Sequence, residues 1–132
     1  MVTIKRLDPA AVFAALQADS TAILLDVRDP VEFSLVGHPP GAVNVPWKFA
    51  PDWRPNPDFL AQVKALAPAP DTPLFLLCRS GQRSFDAAQA LAAAGYCNLA
   101  NVEEGFEGPL NPQRQRSTVA GWRFRGLPWE QS

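Results

Sequence analysis

The chain has 132 residues, 47% of them hydrophobic, with twelve Lys and Arg against thirteen Asp and Glu and a net charge of −1. That is the size and balance of one folded domain with a real core, and the lack of any long block of one sign argues against nucleic acid as a partner. No apolar stretch is long enough to span a bilayer, the opening Met1-Val2-Thr3-Ile4-Lys5-Arg6 lacks a signal-peptide core, and two cysteines with one histidine are too few for an ordinary nitrogen–sulfur zinc site. The expectation is a cytoplasmic protein with no membrane contact, no metal and no other cofactor.

In chain order, Asp8-Pro9 reads as an N-cap with Pro at the first helical position, followed by Val12, Phe13 and Leu16 on one helical face. Ala22 to Val27 is apolar without alternation, the pattern of a parallel strand covered on both faces. Asp29-Pro30-Val31-Glu32 repeats the cap-and-proline signature, with Glu32 placed to reach back as in a capping box. Gly37-His38-Pro39-Pro40-Gly41 ends that short helix, and Ala42 to Pro46 supplies a strand. Residues 47–56 form a loop rich in Pro and Trp. Asn56-Pro57 is expected to cap a helix whose Phe59, Leu60, Val63 and Leu66 share a face, and Pro73 to Leu77 is the next strand. A helix from about Ser84 ends at Gly95, and Asn98 to Val102 is the last strand. Helices alternating with strands predict an α/β fold with a parallel sheet between helical layers.

Open parallel sheets bind ligands at the carboxyl ends of their strands, and Cys78 stands at such an end, in Cys78-Arg79-Ser80-Gly81-Gln82-Arg83. A short Gly-containing loop running into a helix aims several N–H groups at one point, and that helix terminus with Arg79 and Arg83 favours the nucleophilic thiolate. Asp26, Val27 and Arg28 end their strand at the same edge, and the 47–55 loop begins there. Cys97 follows a helix of about eleven residues, ~16 Å long, which returns the chain to the opposite edge. It is expected to be a buried or structural thiol, out of reach of Cys78.

Three ordered motifs now resemble the rhodanese family of sulfurtransferases: Leu25-Asp26-Val27-Arg28 with Glu32-Phe33, then Gly37-His38-Pro39-Pro40-Gly41-Ala42-Val43-Asn44, then Cys78 through Ser84. The resemblance runs from about Ile4 to Pro128 and treats residues 1–132 as one domain. It implies a small parallel sheet of about five strands with helices on both faces, and Cys78 as the carrier of sulfane sulfur in a persulfide. One departure is visible. Where the family often has a Gly-Gly pair and an early Trp, this chain has Glu103-Glu104-Gly105-Phe106-Glu107-Gly108 and then a polar insertion over about 109–118, expected near the rim of the pocket.

The resulting expectation is thiosulfate, or another persulfide donor, as the small anionic substrate. The acceptor is cyanide or a thiol, protein thiols included. Cys78 is the catalytic residue, and Arg79, Ser80, Gly81, Gln82 and Arg83 form the binding loop. Arg83 has two uses open to it, facing the anion or pairing with Glu32 or Asp26. Ser84 is a supporting residue, read as a helix cap before a donor to sulfur. Asp26 and Arg28 are supporting residues that tie loops down through ion pairs, His38 belongs to a turn, and Trp47, Phe49 and Trp53 cover the sheet edge or wall the pocket. Two rivals bear on function. Cysteine-loop phosphatases and arsenate reductases place five residues between Cys and Arg, whereas four intervene here, and non-catalytic rhodanese-like scaffold modules usually lack the cysteine.

Overall fold

The apolar runs without alternation become strands buried on both faces. In the computed structural model, which describes residues 2–132, the elements in chain order are β1 (Lys5–Leu7), α1 (Pro9–Ala18), β2 (Ile23–Asp26), a π-helical turn (Glu32–Val36), β3 (Val43–Asn44), β4 (Lys48–Phe49), β5 (Arg54–Pro55), α2 (Phe59–Leu66), β6 (Leu74–Leu77), α3 (Gln82–Ala93) and β7 (Leu99–Val102). Five strands form one parallel sheet in the order β1-β7-β6-β2-β3. Side chains alternate across it: Leu74, Leu76 and Cys78 face a core with Phe59 and Val63 of α2 and Leu91 of α3, while Phe75 and Leu77 face a second core with Val12 of α1, Phe106 and Trp122. Both cores hold fully buried side chains worth about 1.5–3 kcal/mol each. The order β6 then β2 at the centre puts Cys78 over the middle of the sheet, where neighbouring loops surround it.

Four local expectations differ from the structure. β1 has no apolar run behind it; Lys5 and Arg6 are exposed, and the strand exists because its backbone pairs with Ala100 to Val102 at the sheet edge. The loop after Trp47 contains an antiparallel hairpin, Lys48 against Pro55 and Phe49 against Arg54. Asn56 does not cap α2 from the position next to it: its Oδ1 accepts from the Asp58 N–H, its amide donates to Pro46 O and Gln62 Oε1, and the helix starts at Phe59. Cys97 lies at the far edge from Cys78 but is exposed, not buried, beside the carbonyl of Pro70. The cap reading of Asp8 holds, since its Oδ1 accepts from the Ala11 N–H at 2.8 Å. So does that of Asp29 and Glu32, whose side chains accept from Val31 N and Asp29 N in turn.

After β7 the chain turns back under the Cys78 loop, and the turn is strained. Glu104 occupies the left-handed region at φ 74° where the family often has a second glycine. Its carboxylate is anchored, accepting from Gly121 N at 2.9 Å and from Arg125 through Nε at 2.9 Å and Nη2 at 2.6 Å, which ties the turn to the C-terminal segment carrying Trp122. Two effects therefore oppose each other at one position. Glu104→Ala, which keeps the Cβ and loses the anchor, is expected to be about 1 kcal/mol less stable in urea denaturation than Glu104→Gly, which relieves the backbone as well. Equal stabilities would show that the left-handed conformation carries no strain here.

Candidate active site

β6 delivers Cys78 to a loop that reverses at Gly81, in the left-handed region at φ 113°, and α3 begins at once with Gln82. The helix therefore starts two residues before Ser84, which sits inside its first turn and is fully buried. Ser84 does not cap α3. Its Oγ lies 3.2 Å from Cys78 Sγ and 2.5 Å from Asn101 Oδ1. The Gly81 N–H donates to the same sulfur at 3.1 Å. Cys78 is 1% exposed, so its sulfur meets solvent only through a cleft of about 390 Å³ lined by Lys48, Trp53, Cys78, Arg79, Ser80, Gln82 and Arg83. A larger hollow of about 570 Å³ lies between Phe13, Ile23, Pro40, Val43 and Trp122, and no ionisable or nucleophilic side chain lines it. The smaller cleft is the candidate site.

Arg83 makes a two-pronged ion pair with Glu32, Nη1 to Oε1 at 2.8 Å and Nη2 to Oε2 at 2.9 Å, with its guanidinium 4.8 Å from the Trp53 ring. It borders the cleft while its charge is held from behind. Burial works against the Glu32 carboxylate, but the Arg83 hydrogen bonds and charge outweigh it and hold its pKa below the ordinary value. Burial likewise works against the Arg83 cation, which Glu32 first and then the charges of Cys78 and Asp26 keep protonated beyond the ordinary guanidinium range. Arg79 is different. It is half-buried on the cleft, its Nε buried without a partner, and no carboxylate lies within ion-pair distance among the described residues. Ser80 and Gln82 are exposed on the rim, Gln82 donating to Asp86.

Asp26 and Arg28 do not line the cleft. They form a fully buried pair, Arg28 Nε to Asp26 Oδ1 at 2.8 Å and Nη2 to Oδ2 at 2.6 Å, and Nη2 also donates to Gly37 O, so the pair ties the end of β2 to the turn before β3. His38 is stacked on Phe33 at 3.7 Å, with Nδ1 on the Phe33 carbonyl and Nε2 3.3 Å from Glu130, remote from the sulfur. Of the three loop aromatics, Trp53 walls the cleft while Trp47 packs edge-on against Phe59 in the core and Phe49 lies under Arg54.

Residue reading missed Lys48, which the β4–β5 hairpin turns into the cleft, and Asn101, which β7 places behind Ser84; a hairpin without a Gly turn and a lone polar residue in an apolar strand gave no signal. It also missed Arg116. The insertion, built around the Asn111 side chain accepting from Gln113 N and Gln115 N, brings Arg116 Nη1 to the Gly108 carbonyl at 2.7 Å, and burial and then the charge of Arg79 hold its pKa below the ordinary guanidinium value. The insertion therefore ends beside the binding loop. Among the described residues no group of three or more His, Cys, Asp or Glu is placed to hold a metal, and no helix is long and apolar enough to cross a membrane.

Known proteins share this fold. The rhodanese-like domain family matches residues 9–110. The chain belongs to the rhodanese family. It is 36% identical over 120 residues to an uncharacterised protein of Rickettsia conorii, covering 87% of this chain and 88% of that one, and 36% identical over 106 residues to thiosulfate sulfurtransferase 16 of Arabidopsis thaliana chloroplasts, covering 79% and 76%. The crystal structure of Rv0390 from M. tuberculosis superposes with a TM-score of 0.89 at 35% identity over the whole of both chains. The fold of the chain, a five-stranded parallel sheet flanked by helices, is the one its resemblance implied.

The Arg83–Glu32 pair carries a pH signature. Because Glu32 titrates lower folded than unfolded, its contribution is complete above the ordinary Glu value of about 4.3 and is lost as pH falls through the depressed folded value. Glu32→Gln is expected to lose about 1–2 kcal/mol in urea denaturation at pH 7, with the gap to wild type closing as pH is lowered past 4. A gap independent of pH would assign the loss to packing.

Proposed function

We propose that this rhodanese is a sulfurtransferase whose Cys78 carries sulfane sulfur as a persulfide between an anionic donor and a nucleophilic acceptor. The observation that carries the reading is the sulfur itself: Cys78 Sγ lies at the floor of a cleft bordered by Lys48, Arg79 and Arg83, with a backbone N–H already directed at it. The Cys78 thiolate attacks the outer sulfur of thiosulfate, forming a new S–S bond. The S–S bond of thiosulfate breaks and its electron pair leaves with sulfite, giving Cys78–S–S⁻. Cyanide or a thiolate, including that of a protein, then attacks the outer sulfur, and the electron pair of the persulfide bond returns to Cys78. Thiocyanate or a new persulfide is released.

Charge accounts for donor capture. Arg6, Arg28, Arg54, Arg83, Arg123 and Arg125 each pair with a carboxylate; of the cations with none within ion-pair distance among the described residues (Lys5, Lys48, Lys64, Arg79, Arg114 and Arg116), Lys48 and Arg79 line the cleft and Arg116 lies near Arg79. Burial and then the Arg79 charge lower the pKa of Arg116, and two guanidinium groups that near each other with no carboxylate in ion-pair distance among the described residues suit an anion. Sulfite leaving from the same place keeps its charge neutralised throughout. No cofactor enters the cycle.

Intact-protein mass spectrometry after thiosulfate tests the reading: wild type gains one sulfur that cyanide removes as thiocyanate, and Cys78→Ser gains none. A folded wild type that gains no sulfur from thiosulfate or other persulfide donors would reject it in favour of a scaffold module. Arg79→Gln and Arg116→Gln are each expected to raise KM for thiosulfate about three- to tenfold at low ionic strength, with the difference shrinking as salt is added. A loss in kcat at unchanged KM would instead place these arginines in the chemical step.

A further inference from the structure

A polar chain runs away from Cys78 into the sheet, and proton counting fixes its direction. Cys78, Ser84 and Asn101 are all buried, Ser84 and Asn101 completely. The Asn101 amide has one possible orientation: Nδ2 faces the Gly81 carbonyl at 3.1 Å and the Glu103 carboxylate, both acceptors, so Oδ1 faces Ser84. Ser84 Oγ thus has Asn101 Oδ1 at 2.5 Å, Cys78 Sγ at 3.2 Å and Gly81 O at 3.3 Å, and only one hydrogen to give. Amide and peptide oxygens cannot donate. The sulfur alone among these neighbours can be donor or acceptor, according to its charge.

We propose that Asn101 is a positioning residue for Cys78: it holds the Ser84 hydroxyl hydrogen, so that Ser84 accepts a hydrogen bond from the resting thiol and does not donate one to the thiolate. When Cys78 ionises, its proton leaves to solvent through the cleft. Ser84 then presents a lone pair to the sulfur, and the thiolate relies on the Gly81 N–H and on Arg83. The charged groups around the sulfur are Lys48 on the hairpin, Arg79 and Arg83 on the cleft, Glu32 behind Arg83, the Asp26–Arg28 pair at the end of β2, and Glu103 behind Asn101. None of them lies between Ser84 and Asn101. The hydroxyl is therefore set aside by one neutral bond, and the pH at which Cys78 becomes nucleophilic depends on it.

The inference rests on Cys78 as the nucleophile but not on any sulfur donor. It is tested by the pH profile of Cys78 carbamidomethylation with iodoacetamide, followed by intact mass in a Cys97→Ser background that leaves Cys78 the sole thiol. Ser84→Ala is expected to move the midpoint to lower pH by roughly half a unit, about a threefold faster reaction below it, because a lone pair facing the thiolate is removed. Asn101→Leu frees the hydroxyl to turn to the sulfur and also moves the midpoint down. In the double variant that second shift is absent, which a purely structural Asn101 would not produce. A Ser84→Ala midpoint that rises would overturn the proposal, since Ser84 would then donate to the thiolate directly. Should Asn101→Leu not fold, the sign of the Ser84→Ala shift alone decides. Failure of thiosulfate to load sulfur, with these shifts present, would reject the proposed function and leave the hydrogen-bond assignment standing.

Discussion

The Cys78 loop keeps its shape around the sulfur because its carbonyls are held from behind. Phe106 N donates to the Cys78 carbonyl at 2.8 Å, Glu107 N and Gly108 N donate to that of Arg79, and Asn101 donates to that of Gly81. A peptide held by its oxygen has the N–H of the following residue fixed as well, so these bonds set Arg79, Ser80 and Gln82 N–H and flank the Ser80–Gly81 peptide whose N–H donates to the sulfur. The segment after β7 must therefore lie against the loop, and it does so at Gly105, where a Cβ would fall 2.5 Å from the Arg79 carbonyl carbon and oxygen. Only glycine permits that approach. The loop geometry that looks like a property of six consecutive residues is set by a second stretch of chain some twenty-five residues away.

Around this frame the charges divide by task. Arg28 is buried against Asp26, and Arg83 is half-buried against Glu32; both pairs hold turns in place, and removing one partner of either would strand a charge out of water. Arg83 keeps its cation at the cleft because Glu32 fixes it, so its field acts on the sulfur while its hydrogen bonds do not reach toward ligand. Lys48 of the hairpin and Arg79 of the loop line the cleft, and Arg116 of the insertion lies near Arg79; none has a carboxylate within ion-pair distance among the described residues. Fixed charge lies below and unsatisfied charge above. Under the proposed function, attraction of an anion and activation of the thiol would fall to different residues, so that the rim could vary without disturbing Cys78.

What the sequence made legible was local in the chain. Asp8-Pro9 and Asp29-Pro30 with Glu32 encode helix starts within four residues, and the run before Cys78 encodes a buried strand whatever its partners are. The position of Cys78 at a strand's end followed from these alone. Nonlocal arrangements were illegible for a physical reason: β1 owes its existence to pairing with β7, and its own Lys5 and Arg6 carry no apolar signal. Ser84 was misread because a serine near a helix start is usually its cap, and the left-handed Gly81 moved the start two residues earlier, turning the hydroxyl inward to sulfur. Lys48 and Arg116 sit in segments whose course is decided by side-chain bonds, Asn111 to its own backbone and Asn56 to Pro46 and Gln62, and such bonds have no periodicity to read.

Glu104 shows how the two kinds of information meet. A glycine there would satisfy the turn without strain, and the family resemblance leads one to expect it; instead a carboxylate accepts the left-handed backbone and uses its side chain to bind Gly121 N and Arg125. Trp122 belongs to the segment held in this way, its indole packed edge-on against Phe13 and donating to Pro128 O. Gly121 in turn is pressed on the Glu107–Gly108 peptide, where its Cβ would come within 2.7 Å of Gly108 N. The chain that pins the Arg79 carbonyl is thus itself clamped from outside by the C-terminal segment. A departure from the family motif that looks like a loss at the site is a mechanical link from the far end of the chain to the loop that holds Cys78.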